Sequence, residues 1–444
     1  MPVDEPLAIE PLLGPVDATL VLPGSKSITN RAYVCAALAA GESNLRHALR
    51  ADDVRAMHDG LRALGIEISD GSELDSGFDD VVRVIGCAGR PPADVAIVDA
   101  HLSGTTSRFL LPVAALCAGT VRVDGSRPLR GRPMAPSIEA LRALGATVVD
   151  AGAPGHLPVD VSGGPVAGGE ITISGDASSQ FLSGLLLSAP AMRTGLTVRL
   201  AGDLVSQPYV DMTVAVMAAF GVAVDRTGPR TWRVEPQTYR GTVYHVEPDA
   251  SAASYALAIP AIVGGSVRVE GLGTASLQGD IGFADLLGRM GARVEWTDTS
   301  VAVHGTGELH GIEADLSQMS DTAQTLAVVA AFADSPSRLT GIGFIRRKET
   351  DRIGDVVTEL RRAGIDAEEE PDGLVVRPAP ARPATIETYD DHRMAMSFAL
   401  LGLRAPGIRI ADPGCVAKTF PGYWAMLDGL RAGEDTATGV NGPT

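Results

Sequence analysis

Five times along this chain an amphipathic helix end runs into a glycine and then into an alternating strand. The copies read LRALGIEIS, LRALGATVV, MAAFGVAVD, LGRMGARVE and LRRAGIDAE. Their glycines are Gly65, Gly145, Gly221, Gly291 and Gly364, spaced 80, 76, 70 and 73 residues apart. Each glycine is placed where a helix C-cap needs a left-handed residue, and the apolar alternation that follows has the two-residue period of a strand. One such phrase is common in any α/β protein, but five at nearly equal spacing point to true repetition. The period exceeds that of a solenoid repeat and falls short of a domain, so each copy is expected to be a small sheet with helices packed on it. Five copies leave room for a sixth, less regular one at the C-terminus. Six divide as three and three, which predicts two domains with a cleft between them, a usual place for a substrate.

The rest of the composition agrees. A chain of 444 residues is long for one core, and 45% hydrophobic with 20% charged residues describes a globular protein. A formal charge of −17 argues against nucleic acid or an anionic membrane as the main partner. An anionic small substrate would need a local concentration of basic groups. Cys35, Cys87, Cys117 and Cys415 form no CxxC pair and no metal-ligand spacing, and read as free thiols in a reducing cytoplasm. The opening MPVDEPLAIEPLLG is acidic and broken by proline, unlike a signal or transit peptide. No apolar run approaches the ~18 residues of a membrane span. Residues 431–444 have the composition of a disordered end.

Of 37 basic residues only three are lysines, Lys26, Lys348 and Lys418, and all three lie in loop-like stretches. Lys26 stands in LPGSKSITNR, which lacks the glycine spacing of a nucleotide-binding P-loop. It still offers a helix N-terminus, Ser25 and Ser27 as caps or donors, and Arg31 one turn beyond Ser27. HLSGTTSRF repeats the pattern, with Gly104, three hydroxyl residues and Arg108. DGSRPLRGRPM carries Arg127, Arg130 and Arg132, and SSQFLSGLLL opens an apolar helix on Ser178, Ser179 and Gln180. GDLVSQPYVDMT places Ser206 and Tyr209 beside a proline. FIRRKETDRIGDVV is the densest stretch: Lys348 and Arg352, four apart, are expected on one side of a helix, with Glu349 adjacent. A carboxyl held among cations is a candidate for proton transfer. Asp321, before an apolar helix, reads either as a plain N-cap or as a general base. Asp391, His392 and Arg393 in YDDHRMAM, and Lys418 in AKTFPGYW, complete the set. No serine or cysteine near the Asp-His pair supports a hydrolase triad.

Together, LPGSKSITNRA, DDVRAM, SGTTSRF, GRPM, SSQFLSGLLLSAP, GDLVSQPY, DASAASY, QGD, RRKETDR, DHRMAM and AKTFPGYW occur in an order that resembles the 5-enolpyruvylshikimate-3-phosphate synthase family, from about residue 10 to 430. The resemblance implies an inside-out α/β barrel of two domains, each of three βαββαβ units, with the active site in the cleft between them. Residues 1–23 with 248–430 would form one domain and 24–247 the other. It implies transfer of the enolpyruvyl group of phosphoenolpyruvate to the 5-hydroxyl of shikimate 3-phosphate by a cytoplasmic monomer, with no metal or organic cofactor. Ser27, Arg31, Ser178, Ser179, Ser206, Tyr209, Asp321 and Lys348 would hold shikimate 3-phosphate, and Gln180 would touch both substrates. Lys26, Gly104, Arg132, Arg352, Arg393 and Lys418 would hold phosphoenolpyruvate. Asp321, Glu349 and Lys26 would move the protons, with Asp53 and His392 in support.

Two positions depart from the family pattern: Leu102 stands where many members have asparagine, and Phe344 where some do. The related transferase acting on UDP-N-acetylglucosamine typically carries a cysteine in the arginine-rich turn, which residues 124–134 lack. A catalytically silent anion-binding protein on the same scaffold is the other alternative, and retention of Asp321, Glu349 and all three lysines argues against it.

Overall fold

The computed structural model describes residues 5–70, 81–162, 164, 166–174, 178–202, 204 and 206–433. The tail expected to be disordered lies outside them from residue 434 onward. The chain divides into two compact units, one of Gly24–Glu247 and one of Met1–Pro23 with Pro248–Thr444.

Each unit contains three sheets built on one plan: a parallel pair of strands, extended on one side by antiparallel pairing. In the Gly24–Glu247 unit, Val95–Asp99 runs parallel to Thr120–Asp124, which is followed across the sheet by Val159–Ser162 and Thr147–Asp150. Gly169–Ser174, Leu196–Ala201, Thr231–Val234 and Asp225–Gly228 repeat that order. The third sheet has Val243–His245 parallel to Ala40–Arg46, then Val81–Cys87 and Glu67–Asp70. Its first strand arrives last in the chain, just before the backbone leaves the unit. The other unit shows the complement: Val16–Val21 runs parallel to Gly265–Glu270, on the far side of the whole excursion. Glu313–Asp315 beside Ser337–Thr340 founds its second sheet. The third has three strands, with Leu7–Ala8 pairing antiparallel to Ile408–Ile410, itself parallel to Ala384–Ile386.

A helix precedes the second strand of every parallel pair: Lys26–Leu38, Gly104–Ala114, Ser179–Ser188, Ala250–Val263, Ala323–Ala330 and His392–Gly402. These six are apolar almost all round and buried along nearly their whole length. A helix of that kind has no solvent face, so within each unit three of them pack on one another at the centre. The sheets, with strands such as Val16–Val21 alternating buried and open positions, lie outside. Charged and polar groups therefore concentrate at the helix ends, and the motifs around Lys26, Gly104, Ser179, Asp321 and Arg393 sit at these helices' N-termini.

The outer helices carry the repeated phrase. They end at Gly65, Gly145, Gly221, Gly291 and Gly364, with φ of +86°, +92°, +82°, +114° and +85°. A sixth, Tyr423–Ala432, ends at Gly433 with φ +70°. The sixth repeat thus keeps its glycine cap, 69 residues after Gly364. No helix among the described residues is long and apolar enough to cross a membrane.

Candidate active site

In the unit containing the C-terminal half, six of the residues singled out in the sequence form one ionic cluster. Asp321 sits in the short turn Ser320–Thr322, ahead of helix Ala323–Ala330. It is not the N-cap, which is Thr322. Its Oδ1 accepts from Lys348 Nζ at 2.5 Å and Arg352 Nη1 at 3.3 Å, and its Oδ2 accepts from Arg393 Nη2 at 2.7 Å. Glu349 receives Arg352 Nη2 at 2.8 Å on one oxygen and Lys418 Nζ at 3.0 Å on the other. Arg352 also makes a two-point pair with Asp391, from Nε at 2.6 Å and Nη2 at 3.1 Å. Asp391 is the N-cap of helix His392–Gly402 and accepts from the Arg393 amide as well. Four cations therefore face three carboxylates in a pocket where Arg352 is 2% and Asp391 0% exposed. Charges so buried persist only when paired and hydrogen-bonded.

The helix expected through Lys348 and Arg352 does not form. Gly343–Arg347 is a tight 3₁₀ turn, Lys348 is extended with φ −86° and ψ −135°, and the helix starts only at Gly354. The two cations converge because the intervening loop wraps Asp321, rather than through helical periodicity. Burial draws the Lys348 pKa down, Asp321 draws it back up and Arg352 lowers it again, leaving it below that of a free lysine. For Arg352 burial also acts downward, but Asp391, Glu349 and Asp321 outweigh it and hold its pKa above the ordinary arginine value. Phe344, one of the departures from the family pattern, lies with its ring centroid 5.7 Å from the Lys348 ammonium, within cation–π range.

The Gly24–Glu247 unit gathers the remaining site residues on its three central helices and one outer one. Ser25 caps helix Lys26–Leu38, accepting from the Ile28 amide. Lys26 Nζ lies 3.4 Å from Asp53 Oδ2. Arg31, 2% exposed, donates to Thr213 Oγ1 at 2.7 Å, the Ser27 carbonyl at 2.8 Å, the Tyr209 carbonyl at 3.0 Å and Ser183 Oγ at 3.4 Å. These are all neutral oxygens, and its guanidinium also stacks 5.2 Å over the Phe109 ring. Burial pushes its pKa down to about 10. Tyr209 thus reaches Arg31 through its backbone rather than its hydroxyl.

Gly104 opens helix Gly104–Ala114, capped by Ser103. A methyl group on it would lie 3.1 Å from Arg132 Nη1, tighter than an ordinary contact, and 3.5 Å from Arg108 Nη1, so glycine is what lets the Arg132 guanidinium close over the helix end. Arg108 donates to Gln180 Oε1 at 2.5 Å and stacks over Phe181, while Gln180 Nε2 donates to Thr105. Of the arginine-rich turn, Arg127 and Arg130 are exposed, and Arg130 pairs with Asp124 at 2.7 Å. Only Arg132 turns to the site. Ser178 caps its helix through the Gln180 amide, and Ser179, 6% exposed, lies one turn before Ser183. Ser206 is the N-cap of helix Gln207–Ala219 and takes the left-handed φ +57°, uncommon for a residue with a side chain.

Three participants were not singled out as site residues from the sequence. Asp391 appeared only as half of an Asp-His pair, although His392 Nδ1 lies 3.6 Å away and the stronger bond is to Arg352. Ser183 and Thr213 anchor Arg31 from mid-helix positions. Their one signal was a hydroxyl residue inside an otherwise apolar helix.

Two triads of central helices, each presenting cations and hydroxyl groups at its N-termini, define an α/β protein built to grip anions. Residues 13–427 match the family profile of EPSP synthase (3-phosphoshikimate 1-carboxyvinyltransferase). The chain is 44% identical over 422 residues to the 3-phosphoshikimate 1-carboxyvinyltransferase of Nostoc punctiforme, covering 95% of this chain and 98% of that protein. It is 43% identical to that of Methanoculleus marisnigri, covering 94% and 97%. Among solved structures, EPSP synthase from Acinetobacter baumannii matches with a TM-score of 0.79 at 27% identity, over 97% of this chain and 99% of that one. The chain belongs to the EPSP synthase family.

Proposed function

We propose that the protein transfers the enolpyruvyl group of phosphoenolpyruvate to the 5-hydroxyl of shikimate 3-phosphate and releases phosphate. The observation that carries this reading is the ionic cluster: two carboxylates, Asp321 and Glu349, each held by more than one cation. The substrates bring two phosphates and two carboxylates, which need cations, and the chemistry needs a base and an acid beside them. Entering anions compete for the donors of Lys348, Arg352, Arg393 and Lys418, and so release Asp321 and Glu349 for proton transfer.

In the addition step the 5-oxygen bonds to C2 of phosphoenolpyruvate and gives its proton to Asp321. C3 gains a proton from Glu349 or Lys26 and becomes a methyl group, which leaves a tetrahedral intermediate. Elimination returns the C3 proton to the protein, breaks the C2–O bond to phosphate, which leaves with the proton from Asp321, and re-forms the C2=C3 double bond as that of an enol ether. Arg352, Arg393, Lys418, Lys26 and Arg132 hold phosphoenolpyruvate, with Gly104 leaving room for it. Ser27, Arg31, Ser178, Ser179, Ser206, Tyr209 and Lys348 hold shikimate 3-phosphate, and Gln180 meets both. Fixed charges of this kind act where charge develops, without reorganising at the moment of reaction. The reading also takes the enzyme to be a cytoplasmic monomer, which gel filtration checks.

The deciding experiment measures phosphate release from phosphoenolpyruvate by the purified protein. Release that requires shikimate 3-phosphate is the expected result. Release with UDP-N-acetylglucosamine instead would overturn the substrate, and release with neither would leave only an anion-binding scaffold.

A further inference from the structure

Ahead of the Asp391 cap the backbone does something costly. Tyr389 and Asp390 have φ of +55° and +57°, consecutive left-handed residues with side chains. The Asp391 amide closes the turn onto the Thr388 carbonyl at 2.9 Å. Those φ values are the ones a type I′ turn requires, for which Asn-Gly and similar pairs are the usual solution. A tyrosine in its first central position is strained and persists only where its surroundings hold it.

What holds it is Glu359, 0% exposed on helix Gly354–Arg362. Its Oε1 accepts from the Tyr389 hydroxyl at 2.7 Å, and its Oε2 accepts from the Glu387 amide at 3.0 Å. One carboxylate thereby brackets the turn from both sides. Arg362 Nε, 3.3 Å from Oε2, supplies a partial counter-charge. At the other end of the same segment Arg352 binds Asp391 by two bonds. Residues 387–391 are thus fastened to residues 352–359 at two points, the Arg352–Asp391 pair and the Glu359 bracket. Arg393, which reaches Asp321, follows immediately.

We propose that Glu359 is a positioning residue for the phosphoenolpyruvate grip. It touches no substrate, and it keeps the strained 388–391 turn in the shape that aims Asp391 at Arg352 and Arg393 at Asp321. This rests on the assignment of Arg352 and Arg393 to phosphoenolpyruvate made above. The mechanism is specific to strain: a residue that is comfortable at left-handed φ would not need the bracket.

The test uses Glu359→Gln, Tyr389→Phe, Tyr389→Gly and the double variant Glu359→Gln with Tyr389→Gly, with both KM values, kcat and amide hydrogen exchange over 388–393 measured for each. Glutamine keeps the volume and can still accept from the Glu387 amide, but it replaces the charge-assisted bond from the Tyr389 hydroxyl with a weaker neutral one and removes the negative charge beside Arg362. Glu359→Gln is expected to raise KM for phosphoenolpyruvate about tenfold and leave KM for shikimate 3-phosphate within about twofold. Tyr389→Phe, which alters a partly exposed ring and folds readily, is expected to give a smaller rise of the same kind. In the Tyr389→Gly background the further effect of Glu359→Gln is expected to shrink to about twofold, because glycine accepts the turn unaided. Equal rises in both KM values, no rise in Tyr389→Phe, or an undiminished effect of Glu359→Gln beside glycine would each overturn the proposal. Absence of wild-type turnover would instead overturn the reaction assignment. Exchange at 388–393, faster in Tyr389→Phe than in wild type if the bracket acts as described, still reports on the turn in that case.

Discussion

Arg352 and Arg31 are both 2% exposed arginines, one in each unit, and they are held in opposite ways. Arg352 meets Asp391, Glu349 and Asp321. Arg31 meets two hydroxyls, two backbone carbonyls and the face of Phe109. The first is paired with the protein's own carboxylates, with which an entering anion has to compete; the second is oriented without being neutralised. A buried guanidinium held by neutral oxygens keeps its attraction for an incoming anion, and its lowered pKa of about 10 records the cost of burial. The contrast separates two tasks. On the proposed function, the Arg352 cluster arranges the carboxylates that take and give protons beside phosphoenolpyruvate, whereas the Arg31 cluster is the seat for the charge of shikimate 3-phosphate.

The sharpest way to break that contrast is to remove each cation. Arg352→Met strands Asp391 as a buried, uncompensated carboxylate, and about 3–5 kcal/mol of stability is expected to go with it, read as a lowered midpoint in urea. Arg31→Met leaves only hydroxyls and carbonyls, and Thr213 already donates to Ser183 at 2.8 Å and to the Tyr209 carbonyl. Its fold is therefore expected to survive, while KM for shikimate 3-phosphate rises about 100-fold, in line with the loss of charge-assisted hydrogen bonds. A large stability loss in Arg31→Met would erase the distinction.

A smaller perturbation acts through Gly104. The added methyl of Gly104→Ala, 3.1 Å from Arg132 Nη1, must push that guanidinium by a few tenths of an ångström. KM for phosphoenolpyruvate is expected to rise about fivefold with shikimate 3-phosphate little affected; equal KM changes for both would show that Arg132 serves another purpose. The mildest test is titration. The Lys348 pKa lies below that of free lysine, so its proton leaves earlier on the alkaline side. KM for shikimate 3-phosphate is expected to stay level below the folded pKa and climb above it, starting below the range in which free lysine titrates. Lys348→Arg should remove that climb. Stability follows the opposite sense: the cost of burying the ammonium is fully present below the folded pKa and fades as pH rises toward the unfolded value.

Much of the site was legible because the chemistry sits at helix N-termini, and helix starts leave strong local marks. Serine caps before Lys26 and Gly104, and the apolar runs after Ser179 and His392, announced where polar groups could enter the centre of each unit. What escaped depended on distance in the chain. Nothing near Asp321 reveals that it meets Lys348, Arg352 and Arg393, and of its two readings from the sequence the N-cap position belongs to Thr322. The helix expected through Lys348 failed for a related reason: three cations around one carboxylate outweigh a weak local propensity. Glu359 looked like an ordinary charged residue on an amphipathic helix, and only the strained turn beside it shows its use.

The sequence by itself determined the repeat, the glycine caps and the placing of basic and hydroxyl groups at helix starts. Each follows from backbone sterics or from a periodicity contained within a few residues. Only the tertiary structure decided which charges neutralise one another and which remain available. Coulomb energy depends on separation and burial in space, and Asp321 and Arg393, 72 positions apart in the chain, have groups that end 2.7 Å apart.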